Sequence, residues 1–214
     1  MSGKLRKPLL RSLILTLVVF SAGVFLGIWL EDMRINHIKN RLLEVEVNWN
    51  DVRMQSSLME MSCPIALDVN KEFGEKLLKE GEEIERYEKA NVMSQEIITQ
   101  KKKYALLQIQ YWLNTIKLRE RCNASINTVL YFYSQFDPNV RLQQNIQSRV
   151  LVDLIHDCKG KLITFPLPID LDIASVEILK RRFNVTKAPS LVINETVVLE
   201  GLQSRQTLEK YIIC

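Results

Sequence analysis

Apolar and polar positions alternate with four different rhythms along this chain. Ser12 to Leu30 holds no charged side chain at all. At ~1.5 Å rise per residue, a helix of that length spans roughly 28 Å, close to the ~30 Å hydrocarbon thickness of a bilayer. Trp29 stands at one end of the run, where an interfacial aromatic belongs. From Ile35 the rhythm changes to Ile38, Leu42, Val45, Trp49, Val52 and Met59, with Ser56 filling the one gap. That 3-4 spacing is the seam of an amphipathic, coiled-coil-like helix over residues 33–62. The stripe either pairs with a second copy, making a homodimer through this stalk, or packs on its own chain; the pattern leaves both open.

Ser62-Cys63-Pro64 punctuates the chain. Serine caps a new helix, and proline is tolerated in a first turn, where its missing N–H would have had no partner. Val69, Phe73, Leu77, Ile84 and Tyr87 then share one helical face, the pattern lapses around Ala90-Asn91-Val92, and Ile98, Ala105, Ile109, Trp112 and Ile116 resume it up to Cys122. Two amphipathic helices with a short joint predict an antiparallel hairpin over 63–122. The joint lies midway between Cys63 and Cys122, so folding there brings both cysteines to the open end, within the roughly 7 Å Cα separation a disulfide needs.

The last part of the chain mixes periods of 2 and 3.6. Thr128–Tyr133 reads as a strand, Val140 to His156 as a helix carrying Ile146, Val150, Leu151, Leu154 and Ile155, and Gly160 as its stop. Lys161–Phe165 reads as a strand ended by Pro166 and Pro168, and Ala174–Phe183 as a helix. Leu191–Asn194 with Thr196–Leu199 reads as a hairpin, and Gln203–Ile213 as a closing helix. The fold class is therefore mixed α+β / α/β: a transmembrane helix, a helical stalk with a hairpin, and a β-α-β-α-β-β-α domain over 126–214.

Charge orients the first helix. Lys4, Arg6, Lys7 and Arg11 precede the apolar run, while Glu31 and Asp32 follow it. The positive-inside rule makes residues 1–11 a cytoplasmic tail, 12–30 the span through the lipid bilayer, and the remainder extracytoplasmic. Arg34, Lys39 and Arg41 reduce that bias. Ser21-Ala22-Gly23 offers a cleaved signal peptide as the rival, but the apolar run continues past it to Leu30.

Composition narrows the function classes. With 29 basic against 25 acidic residues and a net charge of +4, nothing points to nucleic acid. The sequence has no Walker loop, GxGxxG, HExxH or CxxC, and its histidines, His37 and His156, are too few and scattered for zinc. No cofactor or metal is expected. Asn123-Ala124-Ser125, Asn184-Val185-Thr186 and Asn194-Glu195-Thr196 match the glycosylation triplet.

Residues 126–214 resemble the thioredoxin-fold superfamily. The strand to Tyr133 enters the loop Phe136-Asp137-Pro138-Asn139-Val140, where redox-active members carry Cys-Pro-x-Cys; here the proline remains and both sulfurs are gone. Val185-Thr186-Lys187-Ala188-Pro189-Ser190-Leu191-Val192-Ile193 resembles the stretch in which a cis-proline opens the next strand beside that loop. Thiol–disulfide exchange needs a thiolate and a resolving thiol, which Asp137 and Val140 do not supply. The resemblance implies a redox-inactive member with a peptide-contact surface of Phe136, Asp137, Pro138, Lys187, Ala188 and Pro189. It further implies that the first and last helices of the domain run side by side, which would join Cys158 to Cys214. Two bridges suit an oxidising compartment.

The leading expectation is thus a membrane-anchored, non-catalytic thioredoxin-like module that binds a protein or peptide. Two alternatives stand beside it: an exported thiol–disulfide oxidoreductase using cysteines outside the motif, and a structural protein whose coiled coil is the working part.

Overall fold

A computed structural model describes residues 6–58, 62–90 and 95–214. Lys4, Met59 and the expected joint at Asn91-Val92 lie outside the described residues, as do the side chains of the expected seam at Ile38, Leu42, Val45, Trp49 and Val52. The chain divides into two units, Met1–Arg41 and Leu42–Cys214.

The described part of the first unit belongs to helix α1 (Arg6–Leu58). Within it, Arg11–Met33 is long and apolar enough to cross a membrane, and none of that stretch is buried in protein. At ~1.5 Å per residue these 23 residues would extend about 35 Å.

The second unit holds the end of α1, then α2 (Cys63–Ala90), α3 (Gln95–Cys122), β1 (Asn127–Tyr133), α4 (Arg141–Asp157), β2 (Leu162–Pro168), α5 (Ala174–Arg182), β3 (Ser190–Ile193), β4 (Val197–Glu200) and α6 (Arg205–Leu208). The four strands form one mixed sheet in the order β2-β1-β3-β4, with β1 parallel to β2 and antiparallel to β3, and β3 antiparallel to β4. The central β1 is buried almost throughout, because it is covered on both faces. Val129 and Tyr131 face a core built with Leu151 and Leu154 of α4, Cys158 just past its end, and Leu208 of α6. Leu130 and Phe132, one residue out of phase, point to the opposite face.

Helix α3 supplies cover for the sheet and for α2 at once. Against α2, the Tyr111 ring meets Phe73 edge-on with centroids 5.5 Å apart, and Asn70 donates to Thr115 Oγ1 at 3.2 Å while accepting from Asn114 at 2.8 Å. Against β2, Tyr111 meets Phe165 at 5.3 Å; Trp112 meets Phe183, just past α5, at 6.3 Å while its indole N–H donates to Glu195 of the β3–β4 turn at 3.1 Å. Arg119 pairs with the same Glu195. Two glycines of α2 make the close approach possible: a methyl on Gly74 would collide with the Tyr111 hydroxyl, and one on Gly81 with that of Tyr104. Glu46, on the last part of α1, pairs with Lys103 of α3 at 2.6 Å.

Both expected cysteine pairs are at disulfide distance, with Cα separations of 5.5 Å for Cys63–Cys122 and 4.8 Å for Cys158–Cys214. Three local expectations need correction. Strand β2 does not stop at Pro166 but runs through Pro166 and Pro168, because it is an edge strand whose outer side needs no N–H donor. The closing helix expected over Gln203–Ile213 is only Arg205–Leu208; beyond it the chain continues in turns with bonds three and four residues apart, and Asn127 donates to the Ile213 carbonyl at 2.8 Å. In α4, Ile146 is exposed, while Gln144 and Gln147 are buried beside Leu151 and Leu154.

Candidate functional site

Because β1 and β2 are parallel and β3 opposes β1, three chain ends converge on one side of the sheet. Phe132 pairs with Ser190 and Tyr133 with Pro168, so the loop leaving β1, the segment leaving β2 and the turn entering β3 all meet there. Phe136, Asp137 and Pro138 lie in that loop, and Lys187, Ala188 and Pro189 in that turn.

The loop is held rigidly by side chains the sequence did not single out. Asp170, two residues past β2, accepts from the Ser134 hydroxyl at 2.6 Å, the Gln135 N–H at 2.8 Å and the Phe136 N–H at 3.0 Å. Ser134 Oγ in turn accepts from the Asp137 N–H at 2.9 Å. The buried Gln144 side chain brackets Ser134, accepting from its N–H and donating to its carbonyl at 3.1 Å. Asp137 Oδ1 accepts from the Asn139 N–H at 2.9 Å, an Asx turn. The Asp137 carboxylate therefore shapes the loop's own backbone. Phe136, Asp137 and Pro138 are exposed, the phenyl ring by 50%.

A buried cation ties the loop to the helical hairpin. Lys101 of α3 pairs with Glu88 of α2 at 2.6 Å, donates to Gln135, and lies 5.8 Å from the Tyr133 ring centre. Gln135 also donates to Glu88, closing a three-membered network. Burial, reinforced by Glu88, pushes the Tyr133 phenol well above its ordinary range.

The second half of the site is the turn before β3. The Ala188–Pro189 peptide is cis. The Thr186 N–H and hydroxyl donate to Glu200 Oε1 at 2.9 and 2.8 Å, and these bonds hold the Glu200 carboxyl below its usual range, with Lys187 at 3.8 Å adding to the effect. The Ser190 hydroxyl donates to the Lys187 carbonyl at 2.7 Å, and the Gly201 N–H to the Pro189 carbonyl at 2.7 Å. Among the described residues, no hydrogen bond reaches the backbone N–H or carbonyl of Ala188. Lys187 is exposed, whereas Ala188 and Pro189 are buried.

Chemically, the two segments offer an exposed ring, an unbonded Ala188 backbone and a lysine, but no thiol. All four cysteines are paired, and no group of His, Cys, Asp and Glu among the described residues could hold a metal. Asp170 was legible in principle, since a polar residue directly after one of two parallel strands comes to lie beside the loop that follows the other. Gln144 and Lys101 left no such trace.

No protein-family model matches the chain, and no curated protein matches it. Among solved structures it is similar to a malarial protein, at 19% identity and a TM-score of 0.32 over 41% of this chain and 99% of the other. It is also similar to the germline-specific thioredoxin Deadhead (Thioredoxin-1) of Drosophila melanogaster, at 17% identity and 0.32 over 46% and 89%. Similarity of that degree assigns neither family nor activity.

Proposed function

We propose that this chain is a single-pass, membrane-anchored protein whose residues 126–214 form a redox-inactive thioredoxin-like domain. In this reading the N-terminus is cytoplasmic, the domain is extracytoplasmic, and its work is to hold a protein or peptide. The observation that carries the reading is the pairing of a thiol-free, firmly braced loop with the unpaired backbone of Ala188 beside it. An extended segment docking there would gain main-chain hydrogen bonds from Ala188, apolar contact with Phe136 and a charge contact with Lys187. Two bridged cysteine pairs support the oxidising location. The apolar stretch Arg11–Met33 supports the anchor, and the charge flanks support its direction.

The test is retention of a random extended-peptide pool by the full chain in detergent micelles, compared with Lys187→Glu combined with Phe136→Ala. Selective retention that the double variant loses by tenfold or more is expected. Equal retention by both proteins would sink the reading, as would turnover of a disulfide substrate by the wild type.

A further inference from the structure

Three Asn-x-Ser/Thr triplets occur in the second unit, and their side-chain surroundings separate them. We propose that Asn123 and Asn184 are N-glycan acceptors and that Asn194 is not, an inference that rests on the extracytoplasmic reading above. Attachment joins sugar to the carboxamide nitrogen. Nδ2 attacks the anomeric carbon of a lipid-phosphate-linked oligosaccharide, and the new N–C bond forms as the anomeric C–O bond breaks. The electron pair leaves on the lipid phosphate, and one amide proton is lost to the transferase. An acceptor therefore needs a free Nδ2, room around it and a hydroxyl two residues on.

Asn123 has all three. It is exposed immediately after α3, at φ 48°, and Ser125 is exposed as well. Among the described residues, no hydrogen bond reaches either side chain. Asn184 is exposed just past α5, at φ 52°, and its side chain is likewise unbonded. The exposed Thr186 hydroxyl donates to Glu200 at 2.8 Å, which leaves its oxygen free to accept. Asn194 differs. Its Nδ2 donates to Asn127 Oδ1 at 3.0 Å and its Oδ1 accepts from the Thr128 N–H at 2.9 Å, so the carboxamide staples the β3–β4 turn to β1. A sugar on that nitrogen would have to stand where the staple closes. Backbone preference accounts for asparagine in the left-handed region at all three positions; the bonding of Nδ2 is what distinguishes them.

The experiment uses the full chain with an Asn-Gly-Thr tail added after Cys214, produced in eukaryotic secretory cells. Enzymatic deglycosylation in heavy-oxygen water converts each occupied asparagine to a labelled aspartate, read by mass spectrometry. The expected result is label on the tail, Asn123 and Asn184 but not on Asn194, with Thr186→Val erasing the Asn184 label and Thr186→Ser keeping it. A labelled tail with Asn123 or Asn184 unlabelled overturns the assignment and leaves the membrane orientation standing. Absence of label from the tail, Asn123 and Asn184 together overturns both. Label on Asn194 in protein that retains both disulfides overturns the exclusion.

Discussion

Helix α3 and the Arg11–Met33 stretch of α1 make an instructive pair. The stretch is almost wholly apolar, and none of it is buried in protein. Helix α3 is crowded with lysine, glutamine and threonine, yet Gln100, Lys101, Gln108 and Thr115 are buried alongside Ala105, Leu107 and Trp112. Hydrophobicity and burial within the fold are thus separate properties. An all-round apolar helix matches a solvent that is itself apolar, as the proposed bilayer would be. A helix enclosed between another helix and a sheet can bury polar groups that find partners there, as Lys101 finds Glu88 and Gln135, and Thr115 finds Asn70, although the side-chain oxygens of Gln100 and Gln108 find none among the described residues.

The sharpest test of this contrast is truncation. Trp112→Ala removes a fully buried ring from both Phe183 and Glu195 and is expected to cost about 3–5 kcal/mol. Leu17→Ala, in the exposed apolar stretch, is expected to shift the same unfolding transition by less than about 0.5 kcal/mol. Denaturation of the full chain in micelles, followed by near-ultraviolet circular dichroism, measures both; equal losses would break the comparison.

Removing the cation tests whether burial of charge depends on its partners. Lys101→Ala takes the cation away from Glu88 and leaves only the Gln135 amide bonded to it, and is expected to cost about 2–3 kcal/mol, below the value for a fully enclosed pair because Glu88 retains some exposure. The same substitution should speed amide exchange at Gln135 and Phe136, since the loop loses its tie to α3. Unchanged exchange there would show that Asp170 alone braces the loop.

Glycines sharpen the contrast at smaller magnitude. Gly74→Ala forces Tyr111 aside and is expected to cost about 1–3 kcal/mol, overriding the gain in helix propensity of about 1 kcal/mol. Gly27→Ala meets nothing within 4 Å and is expected to cost nothing. Thermal melts of the two variants decide it.

The smallest effect is seen only in alkali. Burial raises the Tyr111 phenol above its ordinary 10.0. A folded-state value above the unfolded one means that its contribution is complete below pH 10 and is lost as pH rises toward the folded value, by about 1.4 kcal/mol per pH unit. Tyr111→Phe should therefore flatten the alkaline limb of the stability curve and leave neutral pH nearly unchanged, which urea midpoints measured from pH 8 to 11 would reveal.

Local pattern made several features legible. The stripe of Phe73, Leu77 and Ile84 is buried as its spacing implies, and the order of strands and helices after Asn127 follows the alternation of periods. The chemistry of the candidate loop could also be read directly, because the absence of sulfur is a property of composition. Other features had no local signature. Gln144 and Gln147 occupy the buried side of α4 where Ile146 was expected, because Ser134 and the Gln203 N–H need acceptors there. Pro166 reads as a strand breaker until β2 is known to be an edge strand. The closing helix is short because its end is drawn to Asn127 and Cys158.

What the chain determines by itself are the quantities set by near neighbours: periodicity, the apolar run, the charge flanks and the missing thiols. Tertiary structure decides which of three sequons keeps a free amide, how one aspartate reaches three donors in a loop some 35 residues away, and why a polar helix can be buried on two sides. Each depends on groups far apart in sequence meeting one another's hydrogen bonds, because a buried polar group left without a partner carries a cost.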